Sequence, residues 1–175
     1  MEILIVRHAH PEEYDDWKRE GKAEGLRPLT KRGIHRFAES VKGLSRLVSK
    51  VDCVYSSYYT RAVQTMEILH GSYKGSDSKI IESLNPGIET EDLKRILSSH
   101  KENDVICFVG HYPGVGQLCS SLVSKSSNMR IRFKKGSIAS IQYENGTGEL
   151  QWLMNQKQLT ALAQSDKVRV LENLI

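Results

Sequence analysis

Ile3-Leu4-Ile5-Val6-Arg7-His8-Ala9-His10 is the stretch on which the reading of this chain turns. Four consecutive apolar residues without polar alternation fit a short strand buried on both faces. The run stops at Arg-His, where a buried strand emerges. In open α/β sheets, ligand sites lie outside the carboxyl ends of the strands. A guanidinium beside an imidazole at such an end suits an anion, with the imidazole as nucleophile or proton carrier. Taken alone, the pair reads first as two solvated polar residues at a strand end, so the remaining strand ends decide.

After this stretch, Pro11, Gly21, Gly25 and Pro28 punctuate a polar excursion over 11–28, with a short helix expected around Glu12–Glu24. Thr30 reads as an N-cap, followed at helical spacing by Ile34, Phe37, Ala38, Val41, Leu44 and Val48. Val51–Tyr55 is a second strand, ending at Ser56-Ser57. Tyr58 to His70 is a helix, with Gly71 as its expected stop. Lys79-Ile80-Ile81 is a brief strand, Asn85-Pro86-Gly87 a turn, and Glu91 to His100 a helix. Asp104–Val109 is a further buried strand, ending at Gly110-His111, and Pro113 opens a helix through Val123. Two runs around Asn145-Gly146 form a hairpin, and 156–173 is helical. Strands alternating with helices predict an α/β fold: three layers, α/β/α, around a mostly parallel sheet, in one domain over 1–175.

Composition narrows the function. At 39% hydrophobic and 26% charged residues, the chain is ordinary for a soluble globular protein. No apolar run is long enough to span a bilayer, and the N-terminus lacks the pattern of a secretory leader. The three cysteines, an odd number, argue against a disulfide framework, so a reducing cytoplasm is the expected home. A net charge of +4 is too small to imply nucleic acid. Its distribution is uneven. Residues 11–24 hold Glu12, Glu13, Asp15, Asp16, Glu20 and Glu24, whereas 124–143 contain no acid but carry Lys125, Arg130, Arg132, Lys134 and Lys135. Such a cluster is commonly a solvated face, and it also suits an acidic partner.

Three strand ends gather the chemistry: Arg7-His8, then Ser56-Ser57 with Arg61 in the next helix, then Gly110-His111. An arginine in a first helical turn conflicts with the positive end of the helix dipole, and an anion held by both removes the conflict. The alternative is an ion pair to a surface carboxylate. Together two arginines and two histidines suit a dianionic phosphoryl group: arginines hold its oxygens, one neutral imidazole attacks phosphorus, and the other, when protonated, stabilises developing charge. No cysteine is followed by Arg six positions later, as a cysteine phosphatase requires. Gly114-Val115-Gly116-Gln117 completes neither a P-loop nor a dinucleotide fingerprint. His8-x-His10 lacks further residues to complete a metal shell.

These blocks (Arg7-His8-Ala9, Leu29-Thr30-Lys31-Arg32-Gly33, Ser56-Ser57-Tyr58-Tyr59-Thr60-Arg61-Ala62-Val63-Gln64-Thr65 and Gly110-His111-Tyr112-Pro113-Gly114) resemble, in order, the histidine phosphatase or phosphoglycerate-mutase-like superfamily. The short length and residues 27–33 look most like its small SixA branch of phosphohistidine phosphatases. The resemblance implies a phosphoglycerate-mutase-like fold and His8 as the nucleophile that becomes phosphohistidine. It also implies Arg7, Arg61 and His111 as the phosphate pocket, and neither a metal nor an organic cofactor. Ser57 and His10 are carried as further candidate substrate contacts. The implied substrate is phosphorylated, with phosphohistidine of a signalling protein preferred. A small-molecule phosphomonoesterase and a non-catalytic phospho-ligand module are the alternatives. Two departures stand out. Ala9 replaces the family's usual glycine, and Pro86 falls where larger mutases carry an acidic proton donor. Glu82, Glu89 and Asp92 lie near, with Glu82 the candidate donor. A phosphoramidate has a better leaving group than an alkyl phosphate and depends less on that acid.

Overall fold

The computed structural model describes residues 1–87, 90–124 and 129–172, and the side chains of these except at 90–92, 94 and 166–172. The opening stretch forms strand β1 (Glu2–Arg7), whose four central residues are buried. It lies in a six-stranded sheet with β2 (Cys53–Ser56), β3 (Asp77–Ile80), β4 (Val105–Gly110), β5 (Ile138–Glu144) and β6 (Thr147–Met154). The order is β3-β2-β4-β1-β5-β6. β1, β2, β3 and β4 run parallel, while β5 returns antiparallel to β1 and β6 antiparallel to β5.

Register fixes the site. Arg7 stands opposite Gly110, and Ser56 opposite Val109, so the ends of β1, β4 and β2 open side by side at one edge. The pleat explains why β1 reads as continuously apolar: its alternate residues face two different cores. Leu4 and Val6 pack with Phe37, Val41 and Leu44 of α2 (Lys31–Leu44) and with Ala62, Met66 and Leu69 of α3 (Thr60–Ser72). Ile3 and Ile5 pack with Val115, Leu118 and Leu122 of α4 (Gly114–Val123), and with Leu93 and Leu97 of the helix Thr90–Ser98. Leu159, in the last helix (Gln156–Glu172), joins the first cluster. Helices therefore cover both faces, as a three-layer α/β/α fold requires. Burying each such Leu or Ile side chain contributes about 1.5–3 kcal/mol.

Local chemistry accounts for most element ends. Thr30 Oγ1 accepts the Gly33 N–H at 2.8 Å, capping α2 as its sequence predicts. The β5–β6 hairpin turns at Asn145 (φ 52°) and Gly146 (φ 78°), the paired positive dihedrals that Asn-Gly supplies readily. The excursion forms α1 (Tyr14–Arg19) and a 3₁₀ turn at Glu24–Leu26. Some expectations shift. Gly71 does not stop α3, which runs to Ser72 with Tyr73 at its end, because the Tyr73 N–H still finds Leu69 O at 2.9 Å. Ile34 is exposed despite its helical spacing. Pro113 sits one position before the helix it opens. No helix among the described residues is long and apolar enough to cross a membrane. The three cysteines are buried and free.

Candidate active site

His8 is pinned before its side chain does anything. Its N–H donates to Gly110 O at 3.0 Å, and its carbonyl accepts the Gly136 N–H at 2.9 Å. The next residue, Ala9, donates its N–H to Thr65 Oγ1 at 3.0 Å, and that hydroxyl donates to Arg61 O at 2.7 Å. Ala9 is buried and does not adopt a positive φ, so alanine in place of glycine brings no strain. The ring of His8 has a determined tautomer. Nδ1 lies 2.7 Å from Ala9 O, which can only accept, so Nδ1 carries the hydrogen. Nε2 is left with its lone pair and accepts from Arg61 Nε at 3.3 Å.

His111 has the opposite tautomer. Asn85 Oδ1 takes the Tyr58 N–H at 3.3 Å, so this atom is the acceptor. Ser57 Oγ must then donate its one hydrogen to Asn85 Oδ1, at 2.8 Å. It can only accept from His111 Nε2, 2.9 Å away, so Nε2 carries the proton. His111 Nδ1 is buried and has no hydrogen-bond partner, as is the case for Arg7 Nε. The two imidazoles lie 5.1 Å apart between centroids. Tyr59 presses edge-on to His111 at 5.0 Å and lies beneath Arg61 at 4.8 Å.

Neither imidazole carries a positive charge in this state. Burial, then repulsion that would arise if His111 were charged as well, then Arg61 and Arg7, hold His8 well below the ordinary imidazole range. Burial and then Arg61, Arg7 and Arg27 push His111 down to about 3. The sequence reading has the second imidazole act only when protonated. The structure supplies a neutral one, whose protonation requires an incoming negative charge.

Arg61 has the carboxylate partner that the sequence offered as the alternative to an anion. It is buried: Nε faces His8, while Nη1 donates to Glu24 O at 3.1 Å and Nη2 pairs with Glu24 Oε1 at 3.2 Å. The same carboxylate holds Arg27 at 2.8 and 2.9 Å. The acidic excursion therefore folds back onto the site, and Glu24 is a site residue that the sequence reading passed over. Arg7 donates from Nη1 to Phe133 O at 2.7 Å, with its guanidinium 5.4 Å from the Tyr112 ring.

The other candidates separate. Ser57 belongs to the cluster, by way of His111. His10 does not join these hydrogen bonds: its ring sits among Lys135, Arg36 and Gln156, and its carbonyl holds the Thr30 N–H at 3.0 Å. Glu82 is exposed and lines a groove with Tyr58, Tyr59, Ser83, Asn85, Pro86 and Gly87 beside the cluster. Glu89 lies outside the described residues, as does the side chain of Asp92. Among the described residues, no group of three or more His, Cys, Asp or Glu side chains could hold a metal ion. Asn85, Tyr59, Thr65 and Glu24 were missed as site residues. The first lies in the turn read as Asn-Pro-Gly, and Tyr59 and Thr65 lie within the motif that supplied Arg61.

Residues 3–85 match the family model of the histidine phosphatase superfamily (branch 1). An uncharacterized protein from Picosynechococcus is 25% identical over 155 residues, 86% of this chain and 89% of that protein. Among solved structures, the protein histidine phosphatase SixA complexed with tungstate superposes with a TM-score of 0.78 at 22% identity, covering 91% of this chain and 99% of SixA. The alpha-ribazole phosphatase from Shigella flexneri superposes at 0.67 with 18% identity, covering 89% and 97%. These two structures share with the chain its phosphoglycerate-mutase-like fold.

Proposed function

We propose that this chain, whose residues 3–85 match the histidine phosphatase superfamily, is a phosphohistidine phosphatase with His8 as nucleophile, Arg7, Arg61 and His111 as its phosphate pocket, and one domain over 1–175. His8 Nε2 offers a lone pair held toward Arg61 Nε. Arg7 Nε is an unpartnered buried donor, and His111 Nδ1 becomes one on protonation. Attack by Nε2 on phosphorus forms a P–N bond to His8 and breaks the P–N bond to the substrate imidazole, which leaves with a proton from water. Water then displaces phosphate from His8. The guanidiniums hold the equatorial oxygens, and protonated His111 offsets charge that develops on them.

One observation carries the choice of substrate. Among the described side chains, the carboxylate in contact with the cluster is Glu24, and both of its oxygens are taken by Arg27 and Arg61. A carboxylate so committed is poorly placed to protonate an alkoxide. An imidazole leaving group makes less demand on such an acid. The alternative is a small-molecule phosphomonoesterase with Glu82 as proton donor across the Tyr58–Pro86 groove. Alpha-ribazole phosphatase, on the same fold, is the observation in its favour. Phosphate release from a histidine-phosphorylated protein and from an aryl phosphate, with His8→Ala alongside, decides between them. Preference for phosphohistidine, lost in the variant, supports the proposal. Equal or better turnover of the ester favours the alternative, and release from neither favours a binding module.

A further inference from the structure

The acid-free segment that the sequence singled out has a definite place beside the site. Ile131 and Phe133 are buried in the core, so the intervening Arg130, Arg132 and Lys134 face outward at every second position. Their spacing is set by packing. The Phe133 carbonyl accepts from Arg7, the Lys134 carbonyl accepts from the Ser137 N–H, and the Gly136 N–H donates to both Arg7 O and His8 O. The row is thus bolted to the backbone that carries the nucleophile. Among the described residues, none of these three cations is in an ion pair. Next to it lies a groove walled by Tyr112, Pro113, Met129 and Arg130, with Tyr112 and Met129 exposed although large and apolar.

We propose that Arg130, Arg132 and Lys134 form a docking strip for the acidic face of a phosphorylated protein substrate, delivering its phosphohistidine to the His8 pocket. The inference rests on the phosphohistidine reading and adds what a substrate must carry outside the phosphoryl group. Three unpaired cations held in a row repel one another, and an acidic face relieves that repulsion. Aromatic, Met and Arg side chains around a mouth are the mixture enriched at protein interfaces. A polyanionic nucleic acid fits less well, because a net charge of +4 is too small to hold one. Extended at about 3.3 Å per residue, the strip spans roughly 13 Å, which three alternate carboxylates on an extended segment match.

The test uses two synthetic peptides with a central phosphohistidine, one with alternating Glu flanks and one with Gln in their place. The acidic peptide should have a kcat/KM about tenfold higher at low ionic strength, the scale expected of three exposed charge pairs, and the advantage should disappear at high salt. Arg130→Gln/Arg132→Gln/Lys134→Gln should abolish the preference while leaving the neutral peptide unchanged, and the Glu triple variant should invert it. Equal kcat/KM for both peptides in the wild type overturns the docking strip, as does a preference that survives in the triple variants. Failure to hydrolyse either peptide while turning over an aryl phosphate refutes the phosphohistidine reading itself, and the strip with it.

Discussion

Binding of a dianion to this site should draw a proton out of solution, and His111 is where it should land. In the free protein Nε2 carries the hydrogen donated to Ser57, Nδ1 has no partner, and the pKa stands at about 3. At pH 7 only about one molecule in ten thousand carries the second proton. Raising the pKa to 7 requires about 5.5 kcal/mol of differential interaction, at about 1.36 kcal/mol per unit. A single negative charge about 3 Å from Nδ1 supplies about 5.5 kcal/mol at an effective dielectric constant near 20, and a dianion more. Tungstate, a tetrahedral dianion, is the probe, kept dilute enough to stay monomeric. Calorimetric titration at pH 7, repeated in buffers of different ionisation enthalpy, reads the proton count. The expected value approaches one proton per tungstate. Affinity should therefore rise as the pH falls from 8 to 6, by up to about tenfold per unit. In His111→Gln the uptake should vanish. Zero uptake in the wild type would refute the reasoning, and uptake persisting in the variant would move the proton to His8.

Four further outcomes follow from the same geometry. His8→Ala should remove turnover and leave the circular dichroism spectrum intact, and near-normal activity would end the nucleophile assignment. Arg61→Lys should cost 10²-fold or more in kcat/KM, about 2.7 kcal/mol, because an ammonium cannot face His8 and hold Glu24 from one plane. A Cβ at Gly33 would strike the His10 carbonyl, so Gly33→Ala should lower stability by 1–3 kcal/mol, roughly the overpacking range, and reduce activity by displacing the His8 loop; urea unfolding and phosphate release check both. Stability should depend on pH because His8 and His111 bind protons more readily unfolded than folded. It is full above the unfolded pKa near 6.5 and declines as the pH falls toward the depressed folded values. His111 alone should cost about 2 kcal/mol between pH 6.5 and 5, and His111→Gln should flatten the urea-unfolding profile over that window.

The sequence showed where strands end and left open which ends meet. The apolar runs of β1 and β4 are legible because burial on both faces leaves no polar alternation. The Asn145-Gly146 turn is legible because only a few residue pairs take two positive φ values cheaply. The extent of α3 past Gly71 was not, since a glycine ends a helix only where the chain takes a conformation that needs it, and here tertiary packing on Leu69 and Met66 carries the helix on. Strand order was likewise invisible. Nothing in the local sequence says that β4 inserts between β2 and β1, yet that insertion is what sets Arg7, Ser57 and His111 around one point.

Glu24 shows the same limit more sharply. Read locally, it is one of six acids in a polar excursion, and such clusters are solvated by default. Its role exists only because the excursion returns to the site, tied by Glu12 N–H to Pro28 O at 2.9 Å and by Arg27 Nη1 to Glu12 O at 2.6 Å. Once there, its carboxylate holds Arg61 Nη2 and its backbone carbonyl Nη1, nitrogens that an arriving phosphoryl group would also seek. Glu24→Gln should therefore act in two opposed ways: it removes a competitor for Arg61 and also removes the anchor that orients it. The measured split decides which dominates. Tighter tungstate binding with unchanged kcat means competition, whereas unchanged or weaker binding with a lower kcat means that Glu24 aims Arg61 at the reaction.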